Sequence, residues 1–430
     1  MRVLLCLGLL GLSVGLNAAP IIGFESPEHL YLGNQVNLTF ITPHAAPVSL
    51  PLPNGLALTY GQLVMFGGDF YGVPALPISL GLTEADKIDR FNKAYVTLAN
   101  DAKAVVEVPQ YLADIALEDK EIKDGLAQGK SLPDIYQDIG IDHLITQNCI
   151  SGGFCPADHP DMPRSVMRKV FVLNQGLALK LANTDYDHFN QQAWLSYLAG
   201  HSAALDYAIM ASASQDETKL ATAYAMNGFA SHFLSDLFAA GHMRTPRYEL
   251  SAHVTPMTVG SMLSNYMHNE DNAQGLRVSN AAGNTWMSYG DTFYAAAQDE
   301  ANAQMILKAL QTSADEIFEA FTTGKKPQDS VLPLIPDLNQ LHQYPQTENT
   351  SPLFYWDEKV QKLLRRNNIN NLYDYSHTSS WLGWSTLIEL ATARGLPSVD
   401  QALLLADPQT RTMALQLNLI TDKDLLKTSG

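Results

Sequence analysis

A chain of 430 residues, 46% hydrophobic and only 17% charged, has room for a sizeable core and lacks the composition of a disordered or fibrous protein. Its 27 basic against 44 acidic side chains leave a net charge of −17, a field that repels polyanions and excludes a duplex nucleic-acid binder without a local basic patch. Zwitterionic lipids and small phosphoesters remain compatible with that balance.

The chain opens "MRVLLCLGLLGLSVGLNAAP", one positive charge followed by an apolar run and Asn17-Ala18-Ala19. This reads as a signal peptide over 1–19, so the mature chain is expected to be secreted or periplasmic. Cys6 lies inside the apolar run, too early for a lipoprotein cleavage site. Two cysteines then remain, Cys149 and Cys155, flanking "ISGGF". In an oxidising compartment that short loop reads as a disulfide, with a two-thiol metal site as its rival. No later apolar stretch reaches the roughly 18 residues of a transmembrane helix.

From Pro20 to Pro77 the sequence is rich in Pro and Gly and reads as a loop-rich arm. Thr83, followed by acidic residues, marks a helix start, and helical periodicity recurs near 117–139, 162–182, 189–213, 216–240, 290–323, 354–367 and 379–393. Strand alternation is not convincing anywhere. The expected fold is all-α, a multi-helix bundle over 20–330 with a loop-rich N-terminal arm. A Pro-, Asn- and Gln-rich linker or long loop follows over 331–352, and then a C-terminal helical extension over 353–430.

The stretch "HFLSDLFAAGH" carries the most chemistry. His232 and Asp236 stand at i and i+4, one turn apart on one face, the spacing of a two-ligand clamp for zinc or a similar cation. His242 follows Gly241, a helix-stop signal, and lies off that stripe. Two ions, with Asp236 between them and His242 on the second, account for all three. Further candidates are His268 with Glu270 or Asp271 in "MHNED", Asp69 in the glycine-bracketed "FGGDFYG", His188 in "NTDYDHF" and His29 in "ESPEHLYLG". Each alone reads as an ordinary cap, turn or surface residue; together they suggest a metal centre.

The pattern His-x3-Asp-x5-His resembles the central helix of the secreted bacterial zinc-dependent phospholipases C, whose all-helical fold and trinuclear zinc site are shared with fungal single-strand nucleases. With "GHMRTPR" after it, the wording looks closest to the longer Gram-negative branch, and the likeness covers roughly 20–290. The resemblance implies two or three zinc ions. His232 and Asp236 would bind one ion with Asp69 and His188, the latter followed by Phe189. His242 would bind a second ion with His268 and Asp271, at i+3 where the family has i+4. Asp236 would bridge to a third ion held by His29. Shorter members begin with a metal-binding Trp, whereas no Trp precedes Trp194 here.

The resemblance further implies hydrolysis of glycerophospholipids such as phosphatidylcholine, at a membrane or micelle surface, to diacylglycerol and a phosphorylated head group. Asp69 and Asp236 would be the catalytic carboxylates, with Asp69 orienting or deprotonating water. Arg244, or Arg247, would contact the phosphate, and His201 is the substitute should His188 not be a ligand. The rival functions are a single-strand nuclease of the same fold and a non-catalytic, metal-stabilised surface binding protein.

Overall fold

The computed structural model describes residues 26–44, 47–131, 134–135, 173–290, 297–342, 348–396, 404 and 408–421. The leader 1–19 and the Cys149/Cys155 pair lie outside them. The protein is mostly helical. In chain order come α1 (Ser26–Gly33), a hairpin of β1 (Leu50–Pro51) and β2 (Ala57–Leu58), α2 (Tyr60–Phe66), α3 (Glu84–Ala99), α4 (Ala102–Ala127), α5 (Leu177–Ala182), α6 (Asn190–Ser212) and α7 (Glu217–Asp236). Then follow α8 (Ala240–Met243), α9 (Arg247–His253), α10 (Met257–Gln274), a hairpin of β3 (Leu276–Ser279) and β4 (Thr285–Ser288), and α11 (Glu300–Thr323). The C-terminal part holds an antiparallel sheet of β5 (Phe354–Asp357), β6 (Lys362–Arg366) and β7 (His377–Thr378), then α12 (Gly383–Arg394) and α13 (Pro408–Gln416).

Side-chain caps fix where the helices begin. The Thr83 hydroxyl accepts the Asp86 N–H to start α3, Asp101 accepts from Lys103 to start α4, and Asp216 accepts from Thr218 and Lys219 to start α7. Thr59 and Gln62 form a reciprocal capping box on α2. From Leu220 onward α7 is buried almost all round, which its run of Ala, Gly, Phe and Leu permits. It lies at the centre, with α2, α6 and α11 packed against it. Alanines at 203, 204, 208 and 211 on α6 and at 221, 223, 225 and 230 on α7 are all buried. Phe229 meets Phe91 of α3 edge-to-face at 5.8 Å.

The N-terminal arm is less extended than its composition suggests, because α1 and α2 pack on each other. Segment 331–352 joins the main core through buried Val331, Leu334 and Leu341. A second core unites Leu250, Met262, Leu263 and Met267 of α9 and α10 with Leu353, Phe354, Leu363, Leu387 and Leu390. The C-terminal part is therefore not the helical extension expected: 354–367 forms the β5–β6 hairpin, not a helix. Asp357 accepts the N–H of Lys359, and Gln361 turns into the left-handed region at φ 51°, so the chain reverses where helical periodicity would have continued it. Among the described residues no helix is long and apolar enough to cross a membrane.

Candidate metal centre

Four segments far apart in sequence meet at the C-terminal end of α7. The first is the turn after α2. Gly68 adopts φ 75°, and a Cβ there would lie 2.6 Å from His188 Cε1, so only glycine lets this turn sit against the histidine and place Asp69 beside it. The second is the turn Tyr186–His188 before α6. Its Asp187, buried, accepts the N–H groups of Ile78 and Ser79 at 2.6 and 2.8 Å and ties the turn to the α2–α3 connection. The third is α7 itself, with His232, Ser235 and Asp236, and the fourth is α1 with His29.

The side chains converge closely. His188 Nδ1 lies 2.9 Å from Asp236 Oδ2, 3.0 Å from His232 Nε2 and 3.8 Å from Asp69 Oδ1. His232 Nε2 is 3.5 Å from Asp236 Oδ2 and 3.7 Å from Asp69 Oδ1. The other nitrogen of His232, Nδ1, is 2.9 Å from the Val64 carbonyl oxygen, which only accepts; Nδ1 therefore carries the proton and Nε2 presents its lone pair to the cluster. On the far side His29 Nε2 is 3.6 Å from Asp236 Oδ1, while its Nδ1 is 3.0 Å from Ser235 Oγ. Tetrahedral bonds of about 2.1 Å put ligand atoms roughly 3.4 Å apart, inside the spread of these distances. Two groups, His29/Asp69/His232 and His188/His232/Asp236, can each gather around one metal ion.

In the metal-free cluster, burial and the close packing of these groups set their protonation together. Burial raises the Asp236 carboxyl, but His232, His242 and His188 outweigh it and hold the group well below the usual carboxylate range. Burial lowers His188, yet Asp236 and Asp69 overcome it and push the imidazole up to about 9. Burial dominates at His232 and keeps it far below 6.5, hence neutral. Burial, reinforced by Asp236 against the pull of His188, raises Asp69 to about 7.

A second pair of imidazoles adjoins this cluster. His242 Nδ1 donates to the His188 carbonyl oxygen at 2.9 Å, its ring stacks on Phe189 at 4.6 Å, and the His268 ring centre is 4.8 Å away. Two residues read from sequence for this side take other positions. Asp271, read as a ligand, faces Arg244, whose Nε and Nη2 reach its two carboxylate oxygens at 2.8 and 2.5 Å while Nη1 donates to the Thr350 carbonyl. Both side chains are buried, so Arg244 is spent on Asp271 and does not present a phosphate-binding fork. Arg247 is likewise an anchor, bonded to Asp185, Ser264 and the carbonyls of Ser261 and Ala182. His201, the substitute ligand, lies in the core with Glu316 at 2.8 Å and Asn227 at 2.9 Å, apart from the cluster.

Sequence reading missed Ser235 and Val64, which orient the imidazoles, and Asn272, which contacts His268. Asn272 was findable, since it stands one turn after His268 at i+4. No protein-family model, curated protein or solved structure matches the chain.

Proposed function

We propose that the protein is an exported zinc-dependent phosphodiesterase of the phospholipase C type, cleaving glycerophospholipids such as phosphatidylcholine. The observation that carries this is the convergence of Asp69, His188, His232 and Asp236, with His29 behind them, on one buried point at ligand-shell spacing. The donor set of neutral imidazole and carboxylate suits zinc, and a buried His232 with its Nδ1 proton on a carbonyl is prepared as a ligand.

Zinc, when bound, supplies Lewis acidity toward phosphoryl oxygens and brings a bound water to a pKa of about 7. The chain's own part is to hold and orient. Asp236, ionised across the working range, joins the His188/His232 side to the His29 side. Val64 and Ser235 fix two imidazoles by their ring nitrogens. Asp69 Oδ1, 3.7 Å from His232 Nε2 and 3.8 Å from His188 Nδ1, stands at the edge of the cluster, where its carboxylate is placed to orient a nucleophilic water or take its proton. Phe189, Phe233 and the surrounding helices exclude bulk solvent from His188 and His242. The net charge of −17 favours a zwitterionic lipid over a nucleic-acid strand.

Purified protein is to be assayed on phosphatidylcholine vesicles and on single-stranded DNA side by side. Release of phosphorylcholine that His232→Ala and Asp236→Ala abolish, with the fold retained, is the expected result. Cleavage of DNA alone would move the assignment to a nuclease.

A further inference from the structure

The C-terminal part carries an apolar feature that the metal centre does not use. Leu382, between β7 and α12, is 74% exposed. Trp381 precedes it and Trp384 follows Gly383, both rings only partly buried against the second core. The loop is braced. Trp381 Nε1 donates to the Leu363 carbonyl at 3.2 Å and its ring packs on Phe354 at 5.3 Å, while a Cβ on Gly383 would fall 2.5 Å from Val254 Cγ1. A fixed backbone therefore holds a leucine in water. From 376 to 388 the sequence contains no Lys, Arg, Asp or Glu, and Ser and Thr recur through it.

The same end of the molecule reaches the turn that carries His188. Val254, under Gly383, closes α9, and α10 opens at Met257, which is 37% exposed. The Tyr186 hydroxyl donates to the Met257 sulfur at 3.6 Å, and its ring meets Tyr248, 39% exposed, edge-to-face at 5.4 Å. Tyr186 stands two residues before His188, whose imidazole is on Asp236. Exposed apolar side chains from separate segments thus run from the Trp381–Trp384 loop to the site. The cleft beside them, between α9 and the β5–β6 turn, is lined by Glu249, Asp357 and Glu358 against Lys359. That margin attracts the trimethylammonium groups that form the outermost charge of a choline-lipid surface, and repels anionic head groups. A second copy of the chain would instead set acidic margins against each other.

We propose that this patch is the lipid-docking surface: Trp381, Leu382 and Trp384, with Met257 and Tyr248, seat the protein on phosphatidylcholine and bring the site to its substrate. The proposal rests on the phosphodiesterase reading for its choice of lipid, and deepens it by naming the surface through which the lipid is met. Exposed apolar patches mark interaction surfaces, and Trp and Tyr favour the membrane–water boundary, where an apolar ring and a polar tip are both accommodated. Strength there follows the apolar area buried plus the attraction of charges.

Full-length protein is sedimented with vesicles of a phosphonate analogue of phosphatidylcholine, whose carbon–phosphorus bond resists hydrolysis, alone or doped with an anionic lipid. Binding is expected, weaker on the doped vesicles. Leu382→Asp should weaken it at least about 10-fold, the order set by withdrawing one leucine side chain from an apolar phase, while Leu382→Phe keeps it. Met210→Asp adds the same charge at another exposed apolar position, roughly 30 Å along α6 from Asn190, and should change nothing. The ratio of hydrolysis of phosphatidylcholine vesicles to that of monomeric short-chain phosphatidylcholine should fall with Leu382→Asp by a like factor. Equal vesicle binding or an equal ratio in Leu382→Asp, stronger binding to the doped vesicles, or a dimer that Leu382→Asp dissolves in a chain that ignores vesicles would each overturn the proposal and leave the phosphodiesterase reading in place. Vesicle binding that depends on Leu382 in a chain that hydrolyses no phosphatidylcholine would uphold the surface and overturn that reading.

Discussion

Asp236→Asn removes one charge from the middle of the cluster while keeping the shape of the side chain. In the metal-free protein Asp236 is the largest influence opposing burial at His188, and with Asp69 it lifts that imidazole from 6.5 to about 9. At about 1.4 kcal/mol per pH unit, that lift is worth about 3 kcal/mol, and it comes on top of a burial penalty that must first be overcome. With asparagine in place, burial regains the upper hand and His188 should titrate at or below its ordinary range. The same carboxylate lies within 3.6 Å of nitrogens on His29, His188 and His232, so its loss would strip the shared anionic ligand from the proposed zinc site. An outer partner costs about 10–100-fold in affinity, so a direct ligand should cost at least about 100-fold. Histidine NMR titration of the stripped protein and chelator-competition zinc binding measure the two effects. A variant that still titrates His188 near 9, or binds zinc as tightly as the unmodified chain, would refute the central role given to Asp236.

Three further outcomes are expected. Gly68→Ala forces a Cβ against His188 in a left-handed backbone and should destabilise the fold by about 2–4 kcal/mol in urea unfolding, with a parallel loss of zinc affinity; an unaffected protein would mean that the turn is not set by this contact. Arg366→Ala leaves Glu270 with Arg394 alone and should cost about 3 kcal/mol, read as a lowered urea midpoint, because Arg366 is fully buried and bidentate on that carboxylate. Metal-free protein should lose stability as pH rises: His188, raised from 6.5 to about 9, stabilises fully below 6.5 and loses its contribution up to 9, and Asp69, raised from 3.8 to about 7, loses its own between those values. Thermal melts in chelator at pH 6 and 9 test this, and a flat or rising midpoint would contradict it; zinc affinity should move the opposite way as His188 gives up its proton.

The sequence was most informative where local chemistry and tertiary position coincide. Thr83 caps a helix for the same reason in either description, and the His232/Asp236 spacing places both side chains toward one point once α7 is helical. Asp69 could be suspected from its bracketing glycines, but the reason for them, contact with a histidine 120 positions away, appears only in three dimensions. Asp271 and Asn272 are adjacent, and a difference of one position on a helix is about 100° of rotation; Asn272, at i+4, is the one that meets His268, while the partner that takes Asp271, Arg244, appears only in three dimensions. The hairpin at 354–366 escaped detection because its Leu and Val residues satisfy helical spacing, while the reversal depends on a single Asp-capped turn.

Elemental analysis of the purified full-length protein, alongside phosphatidylcholine hydrolysis, tests the central claim most directly. The account predicts at least one tightly held zinc per chain, removed together with activity by His232→Ala. Full hydrolytic activity in a preparation with no bound metal would contradict it.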